Sequence, residues 1–305
     1  MLSIQRILFP TDFSDGAARA FPQAAALAEW HDAELHIVHV GGETTDDQES
    51  LPVGMETLES WLTQPGSDQT PSLEAITIVQ KEIEAASPAE QLVEYVASRE
   101  IDLVVMGTHG RRGVRRMLLG SVTEEVVRKA PCPVLTVTAE TDVPPRRAVR
   151  RILVPVDFSD ASDVAVQHAK EIALTYGAEL DLLHVVEEVA YPSAYGLEPP
   201  LFPTDEIVGR VEKTLGDMAR EDIGYEHVQI SVQVGYPPMT ILDYVRENEV
   251  DLLVIATHGR TGIDRLLMGS VAERILRESP VPVFLVKPQQ KSLVTPIQSK
   301  AAAAN

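Results

Sequence analysis

The stretch "MGTHGRRGVRRMLLGS", Met106 to Ser121, gathers glycine, arginine and serine in a pattern that could bind an anion. Gly107 and Gly110 stand where backbone could approach a bound group that a β-carbon would exclude. Gly120 and Ser121 open a helical pattern, and the first N–H groups of a helix, with its dipole, favour a phosphate. Arg111, Arg112, Arg115 and Arg116 crowd the loop, with no acidic residue between Gly107 and Ser121. That local positive excess is set against a net charge of −20 for the whole chain. The overall charge disfavours nucleic acid and anionic membranes as partners, since both need basic surfaces.

Other readings of the same residues stay open. Ser121 with Glu124, and Ser270 with Glu273, have the S-x-x-E spacing of a helix capping box, so both serines have a structural use as N-caps. Asp12 and Asp157 each follow a strand pattern and precede a helix, which suits either an N-cap or a ligand contact. His39 and His184 end apolar runs and read as hydrogen-bonded core residues, and His109 and His258 as structural hydrogen bonders in the glycine loop. No His, Cys and carboxylate set has metal-ligand spacing, so no metal site is assigned. There is no G-x-x-x-x-G-K-[ST] loop and no assembled catalytic set, so no catalytic residue is assigned.

The glycine phrase returns as "ATHGRTGIDRLLMGS", Ala256 to Ser270, and the rest of the chain repeats with it. "RILFPTDFSD" from Arg6 answers "RILVPVDFSD" from Arg151, an offset of 145, while Ser121 answers Ser270 at an offset of 149. An ordered set of such matches marks a duplicated domain. The expected division is residues 1–140 and 149–288 for the two domains. A linker at 141–148 holds Pro144 and Pro145, and a flexible tail follows at 289–305.

Within each repeat, short apolar runs alternate with helical patterns. In repeat one these are strands at "RILFP", "ELHIVHV", a third near Leu73 to Val79, "DLVVMG" and "PVLTV". Helices are expected after Ser14, at Met55 to Leu62, at "SPAEQLVEYVASRE" with Ser87 as N-cap and Glu90 closing a capping box, and at "SVTEEVVRKA". Pro22 predicts a kink or a later start for the first helix. Strands buried on both faces and separated by helices imply a five-stranded parallel sheet with helices on each side. In such a sheet, ligands bind beyond the carboxyl ends of the strands. The fifth strands, Pro133 to Val137 and Val281 to Val286, are apolar and are expected to pair with each other, which joins the two repeats within one chain. A homodimer through a further surface is also expected. No apolar run reaches the roughly 20 residues of a membrane helix. The start of the chain shows no cleavable signal pattern, and its one cysteine, Cys132, cannot form an internal disulfide, so a cytoplasmic location is expected.

The spacing of glycine, two residues, glycine, nine residues, glycine-serine resembles the nucleotide-binding signature of the universal stress protein family. "PTDFS" and the "LHV" end of the second strand are also similar to that family, and the likeness covers both repeats. It implies two tandem Rossmann-like doubly wound domains, α/β in class, binding ATP with Mg2+ as its companion ion. By position it implies adenosine contacts at Pro10, Thr11, Asp12 and Val40. Phosphate and ribose contacts are implied at Met106, Gly107, His109, Gly110, Arg111, Gly120, Ser121, Val122 and Thr123. In repeat two the matching positions are Pro155, Val156, Asp157, Val185, His258, Gly259, Arg260, Gly269, Ser270 and Val271, with Ala256 in place of the first glycine. That methyl is expected to weaken the second site. The function implied is an ATP-binding regulatory or stress-response protein. The alternatives are a slow ATP-hydrolysing enzyme and a nucleotide-free adaptor.

Overall fold

A computed structural model describes residues 2–41, 54–62, 70–108, 119–138, 141, 149–187, 204–257, 268–288 and 290–294. In repeat one the strands are β1 (Arg6–Thr11), β2 (Glu34–Gly41), β3 (Ile78–Glu84), β4 (Leu103–Gly107) and β5 (Val134–Val137). Its helices are α1 (Asp15–His31), α2 (Met55–Leu62), α3 (Pro88–Ser98) and α4 (Ser121–Lys129). Repeat two has β6 (Arg151–Pro155), β7 (Glu179–Glu187), β8 (Val228–Gly235), β9 (Leu252–Ala256) and β10 (Val283–Val286). Its helices are α5 (Asp160–Tyr176), α6 (Thr204–Asp217), α7 (Pro237–Glu247) and α8 (Ser270–Glu278).

Among the described residues these strands form one sheet in the order β3-β2-β1-β4-β5-β10-β9-β6-β7-β8. Strands within each repeat run parallel, and the one antiparallel junction is β5 with β10, where Leu135 faces Phe284. Two apolar layers cover the sheet. One is built around Phe9, Phe21 and Leu35 with their repeat-two counterparts; the other around Leu8, Val104, Leu153 and Leu253. The interior strands are buried on both faces, which is why they read as continuous apolar runs.

The duplication holds to the level of single contacts. Asp102 accepts hydrogen bonds from the backbone N–H of Gln5 and Arg6, and Asp251 accepts them from Arg150 and Arg151, so each carboxylate pins the entry of its repeat's first strand. His31 and Tyr176 occupy matching positions, and they meet where α1 and α5 come together, with Nε2 and the phenol 2.9 Å apart. The repeats also cap each other's helices. Lys287, just after β10, donates to the carbonyls of Val127, Arg128 and Ala130 at the end of α4. Thr138, just after β5, donates to the Ser279 carbonyl at the end of α8.

Four expectations are corrected. α1 starts at Asp15 and runs through Pro22, matching α5 in length at 17 residues each. Ser14 caps it as Ser159 caps α5, each side chain accepting from a backbone N–H three residues on, and the buried Ala20, Phe21, Ala24 and Ala25 hold the helix on the sheet despite one lost hydrogen bond. The third strand begins at Ile78, after a single 3-10 turn at Leu73–Ala75. It is an edge strand with charged side chains, so it lacks the apolar run that marks the interior strands. Ser87 is the N-cap of α3 but makes no side-chain cap bond. Residues 290–294 of the expected flexible tail are docked on repeat one: Leu293 is buried in its core, Ser3 donates to the Leu293 carbonyl, and Lys291 lies 2.5 Å from Asp102. The expected linker, apart from Thr141, lies outside the described residues, as does the remainder of that tail.

Candidate functional site

The carboxyl ends of β1 and β4 are neighbours, as are those of β6 and β9, and those predicted site residues that are described lie at or near these ends. The turn leaving β1 is tightly held. Thr11 Oγ1 accepts from the Phe13 N–H, and Asp12 Oδ1 accepts from the Ser14 N–H. Phe13 takes a left-handed backbone, φ 60°, a conformation that costs a bulky residue energy unless its surroundings impose it. His39, from the end of β2, supplies part of that constraint. Its Nδ1 donates to the Thr11 carbonyl at 2.7 Å, and its ring packs at a tilt against Phe13 with centroids 4.6 Å apart. Repeat two reproduces the aspartate bond, the left-handed phenylalanine and the histidine contacts with Asp157, Phe158 and His184, while Val156 stands in place of Thr11 and supplies no hydroxyl. The helix cap is therefore the serine, and Asp12 and Asp157 brace the turn that precedes it.

The glycine signature has a packing role. A β-carbon on Gly107 would lie 2.5 Å from the carbonyl oxygen of Gly16 in the first turn of α1. The first glycine thus answers to a helix crowding a strand end. In repeat two the residue matching Gly16 is Ala161, and Ala256, in place of the first glycine, packs against one of the two core layers. Gly120 donates its N–H to the Thr108 carbonyl at 2.9 Å, and Gly269 does the same to Thr257. Each thereby ties a helix start to the strand exit.

Gly120 and Gly269 are the N-caps of α4 and α8, and neither helix has a side-chain cap. The capping boxes expected at Ser121 and Ser270 are absent, because both serines are the first residues inside the helix. Their hydroxyls are exposed, and among the described residues neither has a hydrogen-bond partner. The N–H groups of Ser270, Val271 and Ala272 are those that a helix leaves unsatisfied at its start. Thr123 is different: buried, it donates to the Gly107 carbonyl at 2.9 Å, so its hydroxyl is already used. Met106 is a core side chain, while Pro10 is buried and Val40 and Val122 are half-buried beside it.

In repeat two these parts enclose a cleft of about 880 Å³. Pro155, Val156, Asp157 and Val185 form one part of its wall, and Ala256, Gly269, Ser270 and Val271 another. The cleft also takes in residues that sequence reasoning missed. Tyr236, half exposed at the start of α7 with the Arg274 guanidinium over its ring at 5.9 Å, stands at one side. Ile207, Arg210 and Thr214 of α6, Ser162 of α5, Ile241 of α7 and Ile255 of β9 also line the cleft. A large aromatic directly before "PPMTIL" was the available signal for Tyr236, since its counterpart in repeat one is Ser87. His109, Gly110 and Arg111, and their counterparts His258, Gly259 and Arg260, lie outside the described residues, as do Arg112, Arg115 and Arg116. Among the described residues no group of three His, Cys, Asp or Glu is placed to hold a metal ion, and no helix is long and apolar enough to cross a membrane.

A duplicated, doubly wound parallel sheet with a cleft beyond its strand ends defines a tandem α/β protein of the Rossmann-like class. The model of the universal stress protein family matches this chain twice, at residues 3–138 and 148–287. A universal stress protein of Mycolicibacterium smegmatis is 29% identical over 300 residues, covering 93% of this chain and 97% of that one. Universal stress protein Rv2005c of Mycobacterium tuberculosis is 30% identical over 211 residues, 68% of this chain and 69% of the relative. The crystal structure of a universal stress protein from Archaeoglobus fulgidus superposes with a TM-score of 0.60 at 22% identity, covering 92% and 98% of the two chains. The chain belongs to the universal stress protein family and carries two copies of its domain.

Proposed function

We propose that this chain binds ATP in the clefts beyond its strand ends and acts as a nucleotide-dependent regulatory protein of the stress response in the cytoplasm. The observation that carries the reading is the repeat-two cleft. Its apolar wall of Val156, Val185, Ile241 and Ile255 suits a flat heterocycle, and it ends on the uncapped start of α8. Apolar walls with a few placed polar groups are the usual form of a small-molecule site. The unsatisfied N–H groups at Ser270 and Val271, with the helix dipole, favour the phosphates. Asp157 stands by the nucleoside end. Ser121 and Val122 play the same part in repeat one. Mg2+ would be held by the phosphates, with the Ser121 or Ser270 hydroxyl as the protein's ligand to it, and would neutralise phosphate charge. Family membership supports the reading.

The test is direct. The purified chain is extracted in acid and the released nucleotide identified by chromatography, then the emptied protein is titrated with ATP by calorimetry. Saturable binding of ATP is the expected result, and no binding at millimolar ATP would refute the proposal.

A further inference from the structure

Ser162 is the residue of the repeat-two cleft whose chemistry is not accounted for. It sits in the first turn of α5 and lines the cleft at 4% exposure. Its backbone N–H donates to the Ser159 cap, but its Oγ has no hydrogen-bond partner among the described residues. A buried hydroxyl without a partner costs free energy that an alanine would not. Repeat one has that alanine, Ala17, at the matching position. The fold therefore has no need of the hydroxyl there.

What the hydroxyl could meet is limited by its neighbours. Asp157, Asp160 and Asp163 belong to the same turn and helix start, and Asp163 is held above the usual carboxylate range, first by burial and then by the charges of Asp160, Asp222 and Asp157. Negative charge there repels a phosphate. The phosphate-favouring N–H groups are instead those of α8, in a different element of the wall. Resting on the nucleotide reading above, we propose that Ser162 is a specificity residue of repeat two. Its hydroxyl makes a hydrogen bond with a neutral polar group of the nucleoside, a contact that repeat one cannot make.

Photolabelling of the full chain with 8-azidoadenosine and with 8-azido-ATP, followed by peptide mapping, reports each repeat separately. In Ser162→Ala the half-saturating concentration for repeat-two peptides should rise about five-fold with both probes, the factor of one net hydrogen bond. Repeat-one peptides should be unchanged, and the melting temperature without ligand should stay level or rise. Unchanged labelling of repeat two, a loss confined to the ATP probe, or a lower melting temperature would each overturn the assignment. Absence of saturable labelling of the parent chain in either repeat would overturn the nucleotide reading itself, and the assignment with it.

Discussion

The α-carbon of Gly107 faces the backbone of Gly16, and a β-carbon there would come within 2.5 Å of the Gly16 carbonyl oxygen. The obstacle is main chain in a capped helix, so relief requires α1 to move as a body. Gly107→Ala should destabilise the protein by about 1–3 kcal/mol, the usual cost of overpacking. Ala256→Gly, where repeat two already holds the methyl, should cost only about 0.5–1 kcal/mol through backbone entropy. Denaturant unfolding of the two variants measures the difference. A Gly107→Ala protein as stable as the parent would show that the helix yields freely.

The junction of the repeats rests on a few side chains. Leu135 and Phe284 are register partners across β5 and β10, each 4% exposed. Lysine at either place would bury a charge without a partner. Leu135→Lys and Phe284→Lys should each cost about 2–5 kcal/mol and should speed proteolysis between the repeats near Pro144. Variants with the parent's midpoint and digestion rate would contradict the pairing.

Lys287 extends that junction. Burial pushes its ammonium pKa down to about 8, yet three carbonyls at the end of α4 take its hydrogen bonds. Lys287→Met keeps the stem and leaves those carbonyls unpaired. The expected loss is about 1–3 kcal/mol, with protection of the α4 amides reduced in hydrogen exchange. Unchanged protection in α4 would show that the cap is dispensable.

Stability should fall in mild acid. Burial lowers the pKa of His168, which is 2% exposed with an unpartnered Nε2, and burial also lowers His31 and His36. Above about pH 6.5 both folded and unfolded chains hold these rings neutral. Below it the unfolded chain takes up protons that the folded chain does not, so stability is lost as pH falls towards the folded pKa values. One such ring contributes at most about 1.4 kcal/mol per pH unit. His168→Gln installs the residue that repeat one has at Gln23. Unfolding midpoints between pH 7.5 and 5 should decline less steeply in that variant, and an identical slope would exclude His168 as a contributor.

Much of this architecture was legible because the signals were local or duplicated. Buried parallel strands write apolar runs, and matching phrases such as "PTDFS" and "PVDFS" set the two repeats in register. The pairing of β5 with β10 followed from the apolar character of both fifth strands. The capping boxes were misread because S-x-x-E spacing does not say which residue enters the helix first, and a preceding glycine can take the cap position. The role of Gly107 was hidden because a glycine forced by a helix 91 residues earlier in the chain looks the same as one forced by a ligand. Lys287, Leu293 and Ser162 depend on contacts between distant segments, and nothing in their own neighbourhoods announces them.

The central claim is that the uncapped starts of α4 and α8 receive the phosphates of ATP. Aspartate at the first position of a helix suits its dipole, so Ser121→Asp with Ser270→Asp should fold as well as the parent or slightly better. The added carboxylates would stand where the phosphates are proposed to lie. Calorimetric titration with ATP should give saturable binding for the parent chain and a loss of at least about a hundred-fold in the double variant, with its melting temperature undiminished. Equal affinity in the two proteins would contradict the account.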